Sequence, residues 1–325
     1  MMKALWKTVV RVTVTVSVIL GGGVWWLTQP TCTRGAAAVP SSGEMPKKLR
    51  AHVEALSIEF HPRNFQELEN LDRTAAYIKE QFAQAGARTY YQGFAVGSAT
   101  YRNVVGVFNE GAGEQLIIGA HYDSCEDTPG ADDNASGVAG LIELGYLLGE
   151  QCPEYEIELV GYTLEEPPFF RTNMMGSYHH ALKVAKSKQK VKGVIVLEMI
   201  GYFSDQKGSQ EYPSRALNAL YPDQGNFIAV VSKSDQVLFC RQMKSRMQQV
   251  SKVPVYSLNA PAKLPGIDFS DHRNYWPHGF NAVMVTDTAF FRNKNYHTLN
   301  DTSDTLDYDK MAEVVTAVYA SLEGL

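Results

Sequence analysis

"EIELVGYTLEEPPFF", residues 156–170, sets Glu165 beside Glu166 at the end of an apolar stretch and then blocks the chain with two prolines. Adjacent like charges repel, and proline locks φ, so no regular strand continues past this point. Two other runs share the design. "EQLIIGAHYDS" (114–124) delivers His121, and "GVIVLEMIGY" (193–202) delivers Glu198. One such pair of glutamates is usually a solvated surface feature. Three apolar runs that each end on a ligand-type side chain are a different matter, because a carboxylate at a strand end is costly to desolvate unless it is paired or metal-bound.

Working outward, "RNVVGVFN" (102–109), "NFIAVVSK" (226–233) and "NAVMVTDT" (281–288) add three further short β-branched runs. Helical spacing of apolar residues marks "EMPKKLRAHVEALS" (44–57) and "NFQELENLDRTAAYIKEQFAQAG" (64–86), the second closed by a glycine. Further helix-like stretches fall at 136–149, 176–187, 235–250 and 309–323. Strands alternating with helices predict an α/β fold, a three-layer sandwich with a mostly parallel central sheet flanked by helices. Open sheets of that kind place their sites at the carboxyl ends of strands. No linker interrupts 45–325, which is read as one catalytic domain.

The 325 residues are 45% hydrophobic and 20% charged, with a net charge of −5. Without a basic excess, nucleic acid is not an expected partner. The first forty residues differ from the rest. Lys3, Lys7 and Arg11 precede an uncharged run from Val12 to Leu27 that contains Trp25 and Trp26. We read residues 1–40 as an uncleaved signal-anchor. The alternative is a signal peptide cleaved near Ala36–Ala38. Either reading puts the catalytic domain on the non-cytoplasmic side, periplasmic or extracellular: membrane-anchored in the first case, secreted in the second. A buried core helix is the third option. The four cysteines, Cys32, Cys125, Cys152 and Cys240, show no CxxC pairing and are not read as a metal framework.

In chain order the polar cluster is "AHYDS" (His121, Asp123), "GADDNASG" (Asp132, Asp133), "LEEPP" (Glu165, Glu166), "LEMIG" (Glu198) and "NYHTLND" (His297). Each fragment has a bland reading, a structural histidine or a helix cap at Ser136. Together they offer imidazole and carboxylate donors, which suit a catalytic zinc.

These five motifs, in this order, resemble the co-catalytic zinc exopeptidases typified by bacterial leucyl aminopeptidase, whose fold glutamate carboxypeptidase and the glutaminyl cyclases share. The resemblance covers roughly residues 60–325. It implies two zinc ions bridged by Asp133, one completed by His121 and Glu198, the other by Glu166 and His297. Asp123 would hold the His121 ring, and a cis peptide would follow Asp133. Glu165 would be the general base of a hydrolysis carried by a metal-bridging hydroxide, with the two ions about 3.5–4 Å apart. Glu198 departs from the aspartate more typical at its position. "DFSDHRNYWPHGFNAVMVTDTAF" resembles the family's SDH segment, so Asp271 or His272 would line the cleft. Met199, Tyr202 and Tyr296, with Phe169 and Phe170, are candidates for the substrate pocket, while Asp301 and Asp304 would fix the closing loop.

The expected activity is that of an aminopeptidase acting on peptides. A glutaminyl-cyclase-like acyltransferase is the alternative. Against it stand the peptidase form of "GADDNASG" and Tyr296, where cyclases commonly carry tryptophan. A non-catalytic binding member of the fold is a third reading, and the complete ligand set with Glu165 argues against it.

Overall fold

The computed structural model describes residues 2–29, 31, 43–187, 189–323 and 325. Cys32 and the candidate cleavage site at Ala36–Ala38 lie outside these. In chain order the elements are α1 (Met2–Thr28), α2 (Met45–Glu54), α3 (Leu68–Gln84), β1 (Arg88–Val96), β2 (Ala99–Phe108), β3 (Gln115–His121), α4 (Gly137–Glu150), β4 (Glu156–Tyr162), α5 (Gly176–Ser187), β5 (Val191–Glu198), α6 (Arg215–Asn218), β6 (Ile228–Lys233), α7 (Val237–Val250), β7 (Val255–Ala260), β8 (Ala282–Thr286) and α8 (Tyr308–Leu322). A π-helical turn, Ala55–Glu59, continues α2.

The eight strands form one sheet in the order β1-β2-β4-β3-β5-β8-β6-β7. Its centre, β4-β3-β5-β8, is parallel throughout. Antiparallel pairing joins β1 to β2, β2 to β4 and β6 to β8, and β6 pairs with β7 in parallel. Four adjacent strands therefore release their carboxyl ends on one edge of the sheet. That edge receives His121, the Glu165–Glu166 turn and Glu198.

Both faces of the centre are covered, as the continuous apolar runs require. Leu116, Ile118, Ile195 and Leu197 face α2, α3, α4, α7 and α8, while the intervening Ile117, Val194 and Val196 face α5 and the segment around Tyr275. The period of two in side-chain direction thus sorts one strand into two cores. On α3, Leu71, Ala75, Ile78 and Phe82 make a single buried stripe. Helix α4 is apolar nearly all round, because it lies under the sheet with α2 and α8 packed against it.

Gly119, two strand positions before His121, has no room for a side chain. A Cβ there would sit 2.2 Å from Tyr162 Cε2 and 2.6 Å from its Cζ. The Tyr162 ring is fully buried, with its hydroxyl 2.6 Å from that of Tyr275. Gly119→Ala is expected to destabilise the domain by about 1–3 kcal/mol, read as a lowered Tm, because the overpacked ring has no free space to enter.

Helix α1 contains a 23-residue stretch, Trp6–Thr28, that is apolar and long enough to cross a membrane. At about 1.5 Å per residue it matches a hydrocarbon core of about 30 Å. The helix is therefore longer than the uncharged run that suggested it, and it suits a signal anchor or a signal peptide. Its carboxyl end rests on α7 and β7. Ser257 Oγ donates to the Thr28 carbonyl over 2.9 Å, and Lys244 Nζ donates to Thr28 O (2.7 Å) and to Gln29 O. An ammonium at a helix carboxyl end satisfies carbonyls that have no intrahelical donor.

Candidate metal centre

The strand-end residues converge. His121 closes β3, fully buried, with Nε2 3.3 Å from Asp133 Oδ1 and 3.4 Å from both Glu198 oxygens. Its Nδ1 lies 3.1 Å from the Asp123 carbonyl and 3.6 Å from Asp123 Oδ1. On the other side of Asp133, Oδ2 lies 3.0 Å from His297 Nε2, which is also 3.1 Å from Glu166 Oε2. Asp133 is thus shared, one oxygen toward each histidine.

Glu165 and Glu166 lie beyond the strand, so the alternation of strand side chains does not set their directions. Strand β4 ends at Tyr162, Leu164 takes φ 60°, and the glutamates occupy a turn closed by the cis Pro167–Pro168 bond. Asp123 determines how they sit. Its carboxylate accepts from the Glu165 N–H (3.2 Å) and the Glu166 N–H (3.1 Å). One side chain therefore steadies the His121 ring and the backbone of both glutamates.

The loop carrying Asp133 is held as firmly. Asp301 accepts from the N–H of Asp132 (2.9 Å) and of Asp133 (3.1 Å). The peptide Asp133–Asn134 is cis, in line with the resemblance. Asn134 Oδ1 accepts from Gly137 N and Met199 N, and its Nδ2 donates to the Leu197 carbonyl, so this loop is tied to the end of β5. Ser136, read as a possible helix cap, instead donates to Asp132 O and accepts from Ile200 N. Asp304 is exposed and accepts only locally, from Thr302 Oγ1.

The electrostatics of the bare chain report crowding. Burial, then the neighbouring carboxylates, pushes Glu165 well above the ordinary range. Burial and Asp133 bring Glu166 to about 8, and burial raises Glu198 as well. The histidines respond in the opposite sense. Burial alone would lower both, but the carboxylates around His121 and His297 hold each of them raised. Like charges buried together are stabilised when a cation joins them. Two donor groups are sized for that: His121, Asp133 and Glu198, and Cys125, Glu166 and His297, each with one donor atom per residue within 4.8 Å of the others. Glu166 Oε1 is buried and has no hydrogen-bond partner. The side chains present therefore fit two divalent cations.

The remaining sequence expectations fare differently. An apolar cavity of about 90 Å³ opens beside Glu198 and Tyr296, lined further by Phe227, Tyr256, Phe269 and Phe290. Of the seven residues expected at the cleft or pocket, Tyr296 lines this cavity, stacked 3.7 Å from the His297 ring, while Phe169 packs against the main core and Phe170 against Phe269. Met199 and His272 are fully buried. The His272 ring meets the Ile267 carbonyl and the edge of Trp276, and burial lowers it to about 4. Tyr202 packs against the main core. Asp271 is fully buried, where burial raises it to about 7 and the charges of His121 and Glu198 reach it. The cavity takes Ala229 and Val231 from β6, Tyr256 from β7, Phe269 and the 289–296 loop, residues with no motif to announce them. Ser270, which donates to Glu198 Oε2 over 2.5 Å, was also missed.

Residues 103–322 match peptidase family M28. The chain belongs to that family. It is 48% identical over 295 residues to the uncharacterized protein YfbL of Escherichia coli K12, a match covering 88% of this chain and 90% of YfbL. It is 26% identical over 275 residues to a probable leucine aminopeptidase of Arthroderma otae, covering 79% of this chain and 66% of that protein. In fold it resembles the crystal structure of a Bacteroides thetaiotaomicron glutaminyl cyclase. The TM-score is 0.66 at 16% identity, with 89% of this chain and all of that one covered. An M28 chain is a peptidase by family, and the M28 match takes in every cluster residue, from His121 to His297.

Proposed function

We propose that the chain is a zinc-dependent aminopeptidase that removes apolar N-terminal residues from peptides. The observation that carries the reading is the complete pair of donor groups sharing Asp133, with Glu165 beside them and an apolar cavity at Glu198 and Tyr296. Imidazole and carboxylate donors suit zinc. When bound at His121, Asp133, Glu166, Glu198 and His297, two such ions supply Lewis acidity toward the scissile carbonyl and toward water.

The chain's own residues do the rest. Glu165 takes the proton of the attacking water and returns it to the leaving amine. It is free to do so because its backbone, not its carboxylate, is what Asp123 holds. Asp123 orients His121, as the outer partner of a liganding imidazole does. Asp301 keeps Asp133 between the two histidines. The aromatic wall of the cavity excludes water from an apolar side chain, and of the two carboxylates that line it Glu198 is a cation donor and Glu211 is exposed and paired with Lys294. Residues 45–325 form the catalytic domain, and the N-terminal helix tethers it to the membrane with the domain outside the cytoplasm.

Metal analysis together with a panel of aminoacyl anilides and an N-terminal glutamine peptide tests the reading. Two zinc ions with hydrolysis of leucyl or phenylalanyl anilide are expected, faster than lysyl or glutamyl anilide by about 10-fold or more, the worth of one or two buried methylenes. One ion with pyroglutamate formation would transfer the chain to the cyclase chemistry.

A further inference from the structure

We propose that Cys125 supplies a thiolate to the cation held by Glu166 and His297, so that one of the two positions has a mixed sulfur, nitrogen and oxygen donor set. The inference rests on the two-cation reading above and goes beyond it, because the sequence had set the cysteines aside and read the site as free of sulfur. In the fold, the loop after β3 carries Cys125 four residues past His121. There its Sγ, a Glu166 oxygen and a His297 nitrogen all lie within 4.8 Å of one another. Cys125 is a free thiol, partly buried.

The second observation is on the carboxylate. Glu166 is 4% exposed, its Oε2 faces His297, and its Oε1 has no hydrogen-bond partner. A buried carboxylate oxygen left unpaired costs on the order of 1–3 kcal/mol, so the position is built around a group that is still to arrive. The Cys125 backbone is already occupied: its carbonyl accepts from Thr128 N and Thr128 Oγ1. The turn is thereby fixed with the thiol left to face the cluster.

Binding is a proton exchange without redox. As the sulfur–metal bond forms, the S–H proton passes to solvent, and the oxidation state of sulfur and metal is unchanged. With Asp133, Glu166, His297 and Cys125, the position has four protein donors, whereas the His121–Asp133–Glu198 position has three. The thiolate also biases its position toward zinc and cadmium over manganese or magnesium.

The test uses the detergent-solubilised full chain carrying Cys32→Ser and Cys152→Ser, stripped of metal and reloaded with cadmium alone. A thiolate-to-cadmium absorption band in the ultraviolet is expected, with the intensity of one sulfur. Adding Cys125→Ala should remove the band and weaken one of the two ions by at least about 10-fold, since even outer partners of ligands are worth 10–100-fold in affinity. Two cadmium ions bound with no band, or a band that persists in Cys125→Ala, overturns the thiolate and leaves the aminopeptidase reading standing. Failure to bind any ion overturns both.

Discussion

Replacing Glu165 by glutamine should lower kcat by about 10²–10⁴-fold, the usual worth of a positioned general base, with zinc content unchanged. The two halves of that expectation have separate causes. Glutamine has the same length and volume, but its amide cannot accept the water's proton. The contact that places residue 165 is the backbone N–H donated to Asp123, which the substitution does not touch. Residue 165 also contributes no donor atom to either cation group. Its neighbour gives the control, because Glu166 faces His297 directly and belongs to one of those groups. Steady-state kinetics with a leucyl anilide and elemental analysis on the same sample decide the matter. Near-normal turnover in Glu165→Gln would refute the assignment, and loss of zinc would show Glu165 to be a ligand.

How far the sequence could be read depends on whether a residue's role is local. The six β-branched runs became β2, β3, β4, β5, β6 and β8, because strands buried on both faces must be apolar throughout. The two strands not anticipated, β1 and β7, are the edges of the sheet. "RTYYQGFAV" in β1 is largely exposed, so it carries little apolar signal. "VYSLNA" in β7 buries Ser257 and Asn259, polar residues that find partners only in the fold: Ser257 at the end of α1, Asn259 on Ser232. The ligand residues were legible because each follows an apolar strand. The side chains that set their geometry were less so. Asp301 reaches Asp133 from 168 positions away, and only its membership of the closing loop could be read in advance. Cys125 was passed over since cysteine spacing says nothing about a donor set completed by Glu166 and His297. The apolar cavity was the least legible part. Met199, beside Glu198 in sequence, is fully buried, whereas Tyr296, beside His297, lines the cavity, whose remaining wall comes from distant segments.

Asp133→Asn is expected to empty both cation positions, each losing affinity by at least about 100-fold, with activity falling to background. Among the described residues, Asp133 is the carboxylate within 3.3 Å of both histidines, Oδ1 at His121 and Oδ2 at 3.0 Å from His297. Asparagine keeps the shape and removes the symmetry. One of its two terminal atoms becomes an NH₂ donor, which cannot ligate a cation, and the remaining carbonyl oxygen bears no net charge. Whichever way the amide turns, one position loses its oxygen outright and the other loses the anion. The loop itself should persist, because Asp301 holds the backbone N–H groups of residues 132 and 133 rather than the side chain. Circular dichroism should therefore match the unsubstituted chain stripped of metal. Competition titration with a chelator of known affinity measures both ions at once. Retention of one ion at its original affinity would show that Asp133 serves a single position, and with that the shared carboxylate on which the two-cation reading depends would be lost.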